Sequence, residues 1–283
     1  MVRITTLTDN HALPGSDLES EHGFSCFLEV QDVRILFDTG TSSLFLRNAE
    51  KLHVDLSKLD HLIISHGHYD HGGGVQALID HFAYPSLSMW TGKGFDRSKF
   101  VDDPDGVRTL NPDIDAKQIY QHNIMWHTVC NDVVMIHPGI WLVTNFERNH
   151  PIEQLNPRFF LEEGDHRVID PFNDEICLVV DCPQGLLMVA GCSHPGILNM
   201  VDAVRSRFSR QLFALIGGIH LYDASDERRK AVVEGLIERD IPHVGVSHCT
   251  GDEAAEMLKA SCKGFFVNAA GQVTEFPDCV RNS

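Results

Sequence analysis

Between residues 65 and 74 the chain reads Ser-His-Gly-His-Tyr-Asp-His-Gly-Gly-Gly, and any fold it adopts has to accommodate that stretch. Four side chains able to bind a metal, His66, His68, Asp70 and His71, fall within six residues directly after the apolar run Leu62-Ile63-Ile64. If the strand that ends there stays extended, His66, His68 and Asp70 point to one side, because side chains alternate with a period of two. Gly67 keeps the backbone narrow between the first two imidazoles. Gly72, Gly73 and Gly74 allow the sharp turn that swings His71 back toward the same space. Imidazole with carboxylate suits zinc, iron or manganese, and ligands this dense point to a pair of ions. A crowded surface loop is the plain alternative in a chain with 17 histidines. A His-x-His-x-Asp-His run between an apolar strand and a glycine-rich helix start argues for the ligand reading.

Around this stretch, strands and helices alternate. Val2 to Thr8 is an opening strand, residues 11–21 a loop, and Phe24–Val30 with Val33–Phe37 a hairpin closed by Asp38-Thr39-Gly40. Thr41 caps a helix containing Leu44, Phe45, Asn48, Ala49 and Leu52. Leu59 to Ser65 is the strand entering the metal stretch, and Val75, Leu78, Ile79 and Phe82 mark the helix leaving it. Residues 91–175 are irregular, with strand-like pieces at Gln118–Cys130, Val133–His137 and Ile140–Val143. The stretch around 144–172 reads as a lid or substrate loop, or as an excursion covering a sheet edge. Regularity then returns: a strand pair at Ile176–Val180 and Gly185–Ala190, a helix from Ile197 to Phe208 and a strand at Leu212–Ile216. These are followed by a helix from Ser225 to Arg239, a strand at His243–Val246, a helix from Glu253 to Ala260, and strands at Phe265–Val267 and Gln272–Glu275.

Three of these later strands end in small-residue segments that carry a histidine: His194, His220 and His248. Loops held at strand ends are where α/β proteins place function, and a metal pair needs more ligands than residues 66–71 supply. His194 and His248 read as ligands; His220 reads as a ligand, a substrate contact or a proton donor. A carboxylate bridging the ions is expected as well, Asp174 first and Glu175 second.

A length of 283 residues allows one large domain or two small ones, and the reading adopted is a single domain over 1–283. A net charge of −17 excludes a protein that tracks a nucleic-acid backbone and favours a small-molecule substrate. No apolar run approaches the ~20 residues of a membrane span, and Met1-Val2-Arg3-Ile4-Thr5 lacks the apolar core of a signal peptide. The eight cysteines lack Cys-x-x-Cys pairs and several sit in apolar runs. They read as reduced, buried thiols of a cytoplasmic protein.

The stretch Ser65–Gly74 resembles the signature of the metallo-β-lactamase superfamily. Thr8-Asp9-Asn10, Glu21-His22-Gly23-Phe24-Ser25, Leu36-Phe37-Asp38-Thr39-Gly40, Gly191-Cys192-Ser193-His194, Gly217-Gly218-Ile219-His220-Leu221 and His248-Cys249-Thr250-Gly251 extend the resemblance. They point to the subgroup called dihydropterin-ribofuranosyl-aminobenzene-phosphate synthase-like. The resemblance implies an α/β fold, an αββα four-layer sandwich with a dinuclear site at one edge of its two sheets. It implies His66 and His68 on one ion and Asp70, His71 and His248 on the other, with His194 and a carboxylate shared or completing the first. The better-known hydrolases of this fold place a ligand histidine before the strand pair and a bridging aspartate after it. Here Asp174 and His194 stand in the opposite order.

The expected activity is hydrolysis of a small, phosphorylated or cyclic ester through a metal-activated hydroxide, with two divalent ions, zinc first and iron or manganese as alternatives. Asp70 orients the hydroxide or takes its proton, and His220 or His22 protonates the leaving group. A pterin-related transferase or synthase, a non-catalytic metal-binding effector domain and iron-based redox chemistry are the competing readings. No nucleic-acid or membrane partner is expected; a homodimer is compatible with this reading.

Overall fold

The strongest apolar runs of the sequence become the strands of two seven-stranded sheets in a computed structural model that describes residues 1–277 and 279. The first sheet runs, edge to edge, Val273–Phe276, Val2–Thr8, Ser25–Val30, Val33–Phe37, His61–Ile63, Leu87–Gly92 and Ile124–Val129. The second runs Phe265–Val267, His243–Val246, Leu212–Gly217, Gly185–Ala190, Cys177–Cys182, Ile140–Val143 and Val133–His137. Leu28, Ile35 and Phe37 of the first sheet share one buried cluster with Leu178, Val189 and Ile216 of the second. On its outer face the first sheet carries the helices Leu44–Lys51, Val75–His81 and Ala116–Gln121, through Phe45, Leu78 and Ile119. The second carries Ile197–Phe208, Asp226–Glu238 and Asp252–Ser261, through Val201, Val233 and Leu258. The result is the expected αββα sandwich. Strand Gly185–Ala190 is buried at every position, which is why it reads as an unbroken apolar run with no alternation.

Each large sheet is antiparallel on one side and parallel on the other. From Val33–Phe37 across to Ile124–Val129, and from Gly185–Ala190 across to Phe265–Val267, every pairing is parallel. Loops at the carboxyl ends of parallel strands emerge on one side of a sheet. The segments that follow Phe37, Ile63, Ala190, Gly217 and Val246 are therefore presented together.

Several sequence expectations are corrected. The run Gln118–Cys130 is not one strand: Ala116–Gln121 is a short helix capped by the Asp115 side chain, and the strand starts at Ile124. The stretch 144–172 is not irregular throughout. Phe159–Glu163 and His166–Ile169 pair with each other, and with Lys99–Asp103 and Gly106–Thr109 they form a separate four-stranded sheet. The helix after Asp38-Thr39-Gly40 starts at Leu44 rather than behind a Thr41 cap. Glu21 instead accepts the Thr41 and Ser42 N–H groups, both at 3.1 Å. Finally, Cys182 and Cys279 form a disulfide, whereas reduced thiols were expected throughout. The pair lies 97 residues apart in sequence and joins the end of a second-sheet strand to the segment after the last first-sheet strand. Local spacing gives no sign of such a link. Among the described residues no helix is long and apolar enough to cross a membrane.

The segment entering 144–172 is tied to the helix that follows His194. Glu153, only 2% exposed, accepts the Leu198 and Asn199 N–H groups at 3.1 and 3.0 Å. Asn199 Oδ1 accepts the N–H groups of Asn149 and His150 in return. Burial raises the Glu153 carboxyl above its ordinary 4.5 against the pull of those two donors. The folded chain therefore keeps this proton to a higher pH than the unfolded chain, and the contribution of Glu153 to stability falls as pH rises from 4.5 through the folded value. Glu153→Gln is expected to flatten that slope in urea unfolding followed across pH; an unchanged slope would show that Glu153 does not carry it.

Candidate metal centre

Asp38 organises the first half of the site. It ends its strand with a φ of 57°, a left-handed conformation that aspartate tolerates better than most residues. Its buried carboxylate accepts the Ser65 N–H at 2.7 Å, the Ser65 hydroxyl at 2.8 Å and the His71 Nδ1–H at 2.7 Å. The strand before the motif stops at Ile63, and Tyr69–Gly72 is a turn of helix. The expected alternation of His66, His68 and Asp70 along an extended strand therefore does not hold. A non-repetitive bend presents His66 and His68, and the helical turn presents Asp70 and His71. Gly67 is packed more tightly than sequence alone indicates: a Cβ there would lie 2.6 Å from the Phe95 carbonyl oxygen.

The second half comes from three neighbouring strand ends that interlock. The Gly218 N–H donates to the Gly191 carbonyl at 2.9 Å, and the Ser193 hydroxyl to the Gly218 carbonyl at 2.8 Å. The Ser247 N–H donates to the Gly217 carbonyl at 3.1 Å. Ser193, His220 and His248 all have positive φ, at 61°, 46° and 47°. Strained backbone of this kind persists only where surrounding structure holds it, and it gathers at functional sites.

His66, His68 and His194 are mutual neighbours, with ring centroids 4.4 to 4.9 Å apart. All three are buried, and the Nε2 atom of each has no hydrogen-bond partner. Burial, reinforced by neighbouring imidazoles, pulls all three well below the usual histidine range, so they are neutral lone-pair donors. Beside them Asp70 Oδ2 lies 3.1 Å from His248 Nε2 and 3.2 Å from His22 Nε2. Burial alone would raise the Asp70 carboxyl, but His71, His22 and His248 outweigh it and hold it well below its ordinary value. His71 Nε2 faces the Cys192 sulfur at 3.0 Å. The outer nitrogens are fixed as well: His71 Nδ1 by Asp38, His248 Nδ1 by Asn10 at 2.8 Å and His66 Nδ1 by Ser65 Oγ at 2.9 Å. Such outer partners set ring orientation at metal sites.

The structure thus brings His66, His68, Asp70, His71, His194 and His248 together, with His22 and His220 at their margin. It does not bring Asp174. That carboxylate, expected as the bridge, is committed to the Lys99 ammonium at 3.0 Å and the Gly67 N–H at 2.7 Å. Glu175, the second candidate, accepts the Ser193 N–H at 3.0 Å. Burial pushes its carboxyl up to about 8, and its other oxygen, without a hydrogen-bond partner, lies 3.8 Å from His66 Nδ1. Cys192 holds the central position instead. Its sulfur lies within 4.8 Å of ligand atoms of His66 and His194, of His71 and His248, and of His220 and Cys249. Sequence reasoning took it for a core thiol. The usable signal was its place in a strand-end segment two residues before His194.

Residues 21–116 match the family model of the metallo-beta-lactamase superfamily. Across nearly its whole length the chain is 30% identical to a protein of Methanocaldococcus jannaschii named 7,8-dihydropterin-6-methyl-4-(beta-D-ribofuranosyl)-aminobenzene-5'-phosphate synthase, covering 97% of both chains. The chain belongs to the metallo-β-lactamase superfamily. A superfamily crystal structure described as a metal-dependent hydrolase superimposes with a TM-score of 0.82 at 30% identity, covering 98% of this chain and 99% of that one. The metallo-beta-lactamase fold protein YhfI of Bacillus subtilis shares the fold alone, with a TM-score of 0.60 at 13% identity over 97% of this chain and 100% of that one. A metallo-β-lactamase fold implies divalent metal binding, and here the unpartnered buried imidazole nitrogens, with carboxylate and thiol beside them, fit such an ion.

Two cavities serve this superfamily site. A small one of about 40 Å³ lies directly on it, lined by Asp70, Cys192, His194, His220, Phe159 and Arg108 among others. A larger one of about 580 Å³ shares His22, Tyr222, His248 and Cys249 with it and extends to Asn10 and Arg229.

Proposed function

We propose that this chain is a metal-dependent hydrolase of a small, phosphorylated or cyclic ester. The observation that carries the reading is the clustering of the buried His66, His68 and His194 rings, centroids 4.4 to 4.9 Å apart and each Nε2 unpartnered, beside Asp70, His71 and His248. In this reading His66, His68 and His194 hold one divalent ion and Asp70, His71 and His248 a second, with zinc the first expectation. Ions held there supply Lewis acidity and lower the pKa of water toward neutrality. The chain's own residues do the rest. Asp70 orients the attacking water, and His22, exposed at the mouth and 3.2 Å from Asp70, passes the proton that water releases to solvent or to the leaving group. Phe172, stacked on His194 with centroids 4.1 Å apart, and Phe159 exclude bulk water from the histidine side. Arg108 at the rim of the small cavity offers a cation to an anionic substrate group.

A chelator is expected to abolish hydrolysis of phosphodiester and cyclic-ester substrates, and added zinc or manganese to restore it. Activity indifferent to thorough metal removal would refute the reading. A second reading, a synthase acting on a pterin-like phosphorylated compound, is favoured by the name of the Methanocaldococcus relative and by the larger cavity, whose size suits an aromatic ligand. Tight binding of an aromatic phosphate, with no turnover of any simple ester, is the result that would put it first.

A further inference from the structure

We propose that Cys192, Cys249 and His220 form a third ligand group of the centre, one that binds a thiophilic divalent ion through two sulfurs and an imidazole. This inference rests on the metal-centre reading above and adds the chemical class of its ion. The ligand atoms of the three residues all lie within 4.8 Å of one another, and all three side chains are buried. Neither ring nitrogen of His220 has a hydrogen-bond partner, although the residue is only 6% exposed. A buried imidazole left this way is costly unless something else satisfies it. The Cys249 sulfur faces the Cys192 thiol and the His220 ring and lies 3.6 Å from the Cys192 carbonyl oxygen.

Local backbone is arranged to admit the second thiol. A Cβ on Gly218 would lie 2.5 Å from the Cys249 sulfur and 2.5 Å from the Gly191 carbonyl oxygen, so any side chain there would expel Cys249. The Leu221 and Tyr222 N–H groups both donate to the Cys249 carbonyl, at 3.0 and 3.2 Å, which fixes Cys249 against the strand end that carries His220. The left-handed φ of His220 turns its side chain out of the regular strand path. A pair of core thiols packed as small apolar groups needs none of these features. Two thiolates and an imidazole select soft or borderline ions such as zinc or cadmium over magnesium or manganese. On binding, each thiol releases its proton to solvent and its sulfur forms the bond to the ion. In this arrangement His220 is a ligand and leaves proton donation to His22.

The test is cobalt(II) titration of the metal-stripped chain under anaerobic conditions with a phosphine reductant. The expected spectrum has an intense near-ultraviolet thiolate-to-cobalt charge-transfer band, which loses roughly half its intensity in Cys249→Ser. A Cys249→Ser spectrum identical to that of the parent chain overturns the proposal. X-ray absorption on the unmodified, zinc-loaded chain needs no variant: sulfur neighbours are expected at about 2.3 Å, and a shell of nitrogen and oxygen alone overturns it. Cobalt that binds with visible bands but no charge-transfer band removes the thiolate group and leaves the histidine centre standing. Cobalt that does not bind at all removes both.

Discussion

Replacing His66 and His68 together by alanine is expected to remove the ion assigned to His66, His68 and His194 and to lower turnover by about a thousandfold or more. An ion acting as a Lewis acid and water activator supplies several kcal/mol to a hydrolytic barrier, and each 1.36 kcal/mol is about tenfold in rate. The two imidazoles supply two of the three unpartnered Nε2 atoms of the His66, His68 and His194 cluster, and His194 with the nearby Cys192 leaves too few donors to hold an ion tightly. Folding should survive. In the metal-free chain the two rings are neutral and their Nε2 atoms bond to nothing, so truncation breaks no hydrogen bond at those atoms. The readouts are metal content by mass spectrometry, ester turnover, and the rise in melting temperature on adding metal, which should shrink in the variant. A double variant that keeps its full metal load and its rate would place the centre elsewhere.

The second large effect is expected at Lys99, which packs directly behind Gly67 and the first two histidines. This side chain is 2% exposed, and its ammonium lies 3.2 Å from Asp170 and 3.0 Å from Asp174, both equally buried. Removing one member of a buried ion group strands the others and costs about 3–5 kcal/mol. Lys99→Met is expected to lose that much in urea unfolding. The loss should grow with pH, because at low pH the abandoned carboxyls relieve themselves by taking up protons. Asp174 also accepts the Gly67 N–H at 2.7 Å, between the first two histidines, so metal affinity should weaken in the same variant. Adding Asp170→Asn to Lys99→Met should restore part of the stability. A Lys99→Met chain within about 1 kcal/mol of the parent would show that the group is no structural joint.

The same three residues explain where reading the sequence stopped short. The cluster at 66–71 was legible because its spacing is local, and the gathering of the later histidines because each follows an apolar run ending in small residues. The bridging carboxylate was not legible, since what disqualifies Asp174 is a lysine 75 residues away. Cys192 was missed for a related reason: a thiol in an apolar setting looks the same in sequence whether it faces a core or a cluster of imidazoles. The helix Ile197–Phe208 and the strand His243–Val246 were found with their bounds because amphipathic or apolar patterning runs through each. The short helix Ala116–Gln121 was not, since it buries only Ile119 and carries no period to detect. The disulfide was out of reach because its two cysteines stand 97 residues apart in sequence.

The candidate ligands are divided between the two sheets: His66, His68, Asp70 and His71 hang from the first, and Cys192, His194, His220, His248 and Cys249 from the second. The two histidine-rich groups proposed above each draw on both sheets, His66 and His68 with His194, and Asp70 and His71 with His248. A partly folded chain with one sheet formed, or with the two mis-docked, has ligands but no centre. An ion held by such groups would act as a rivet across the seam between the two sheets, tying the site to their correct docking.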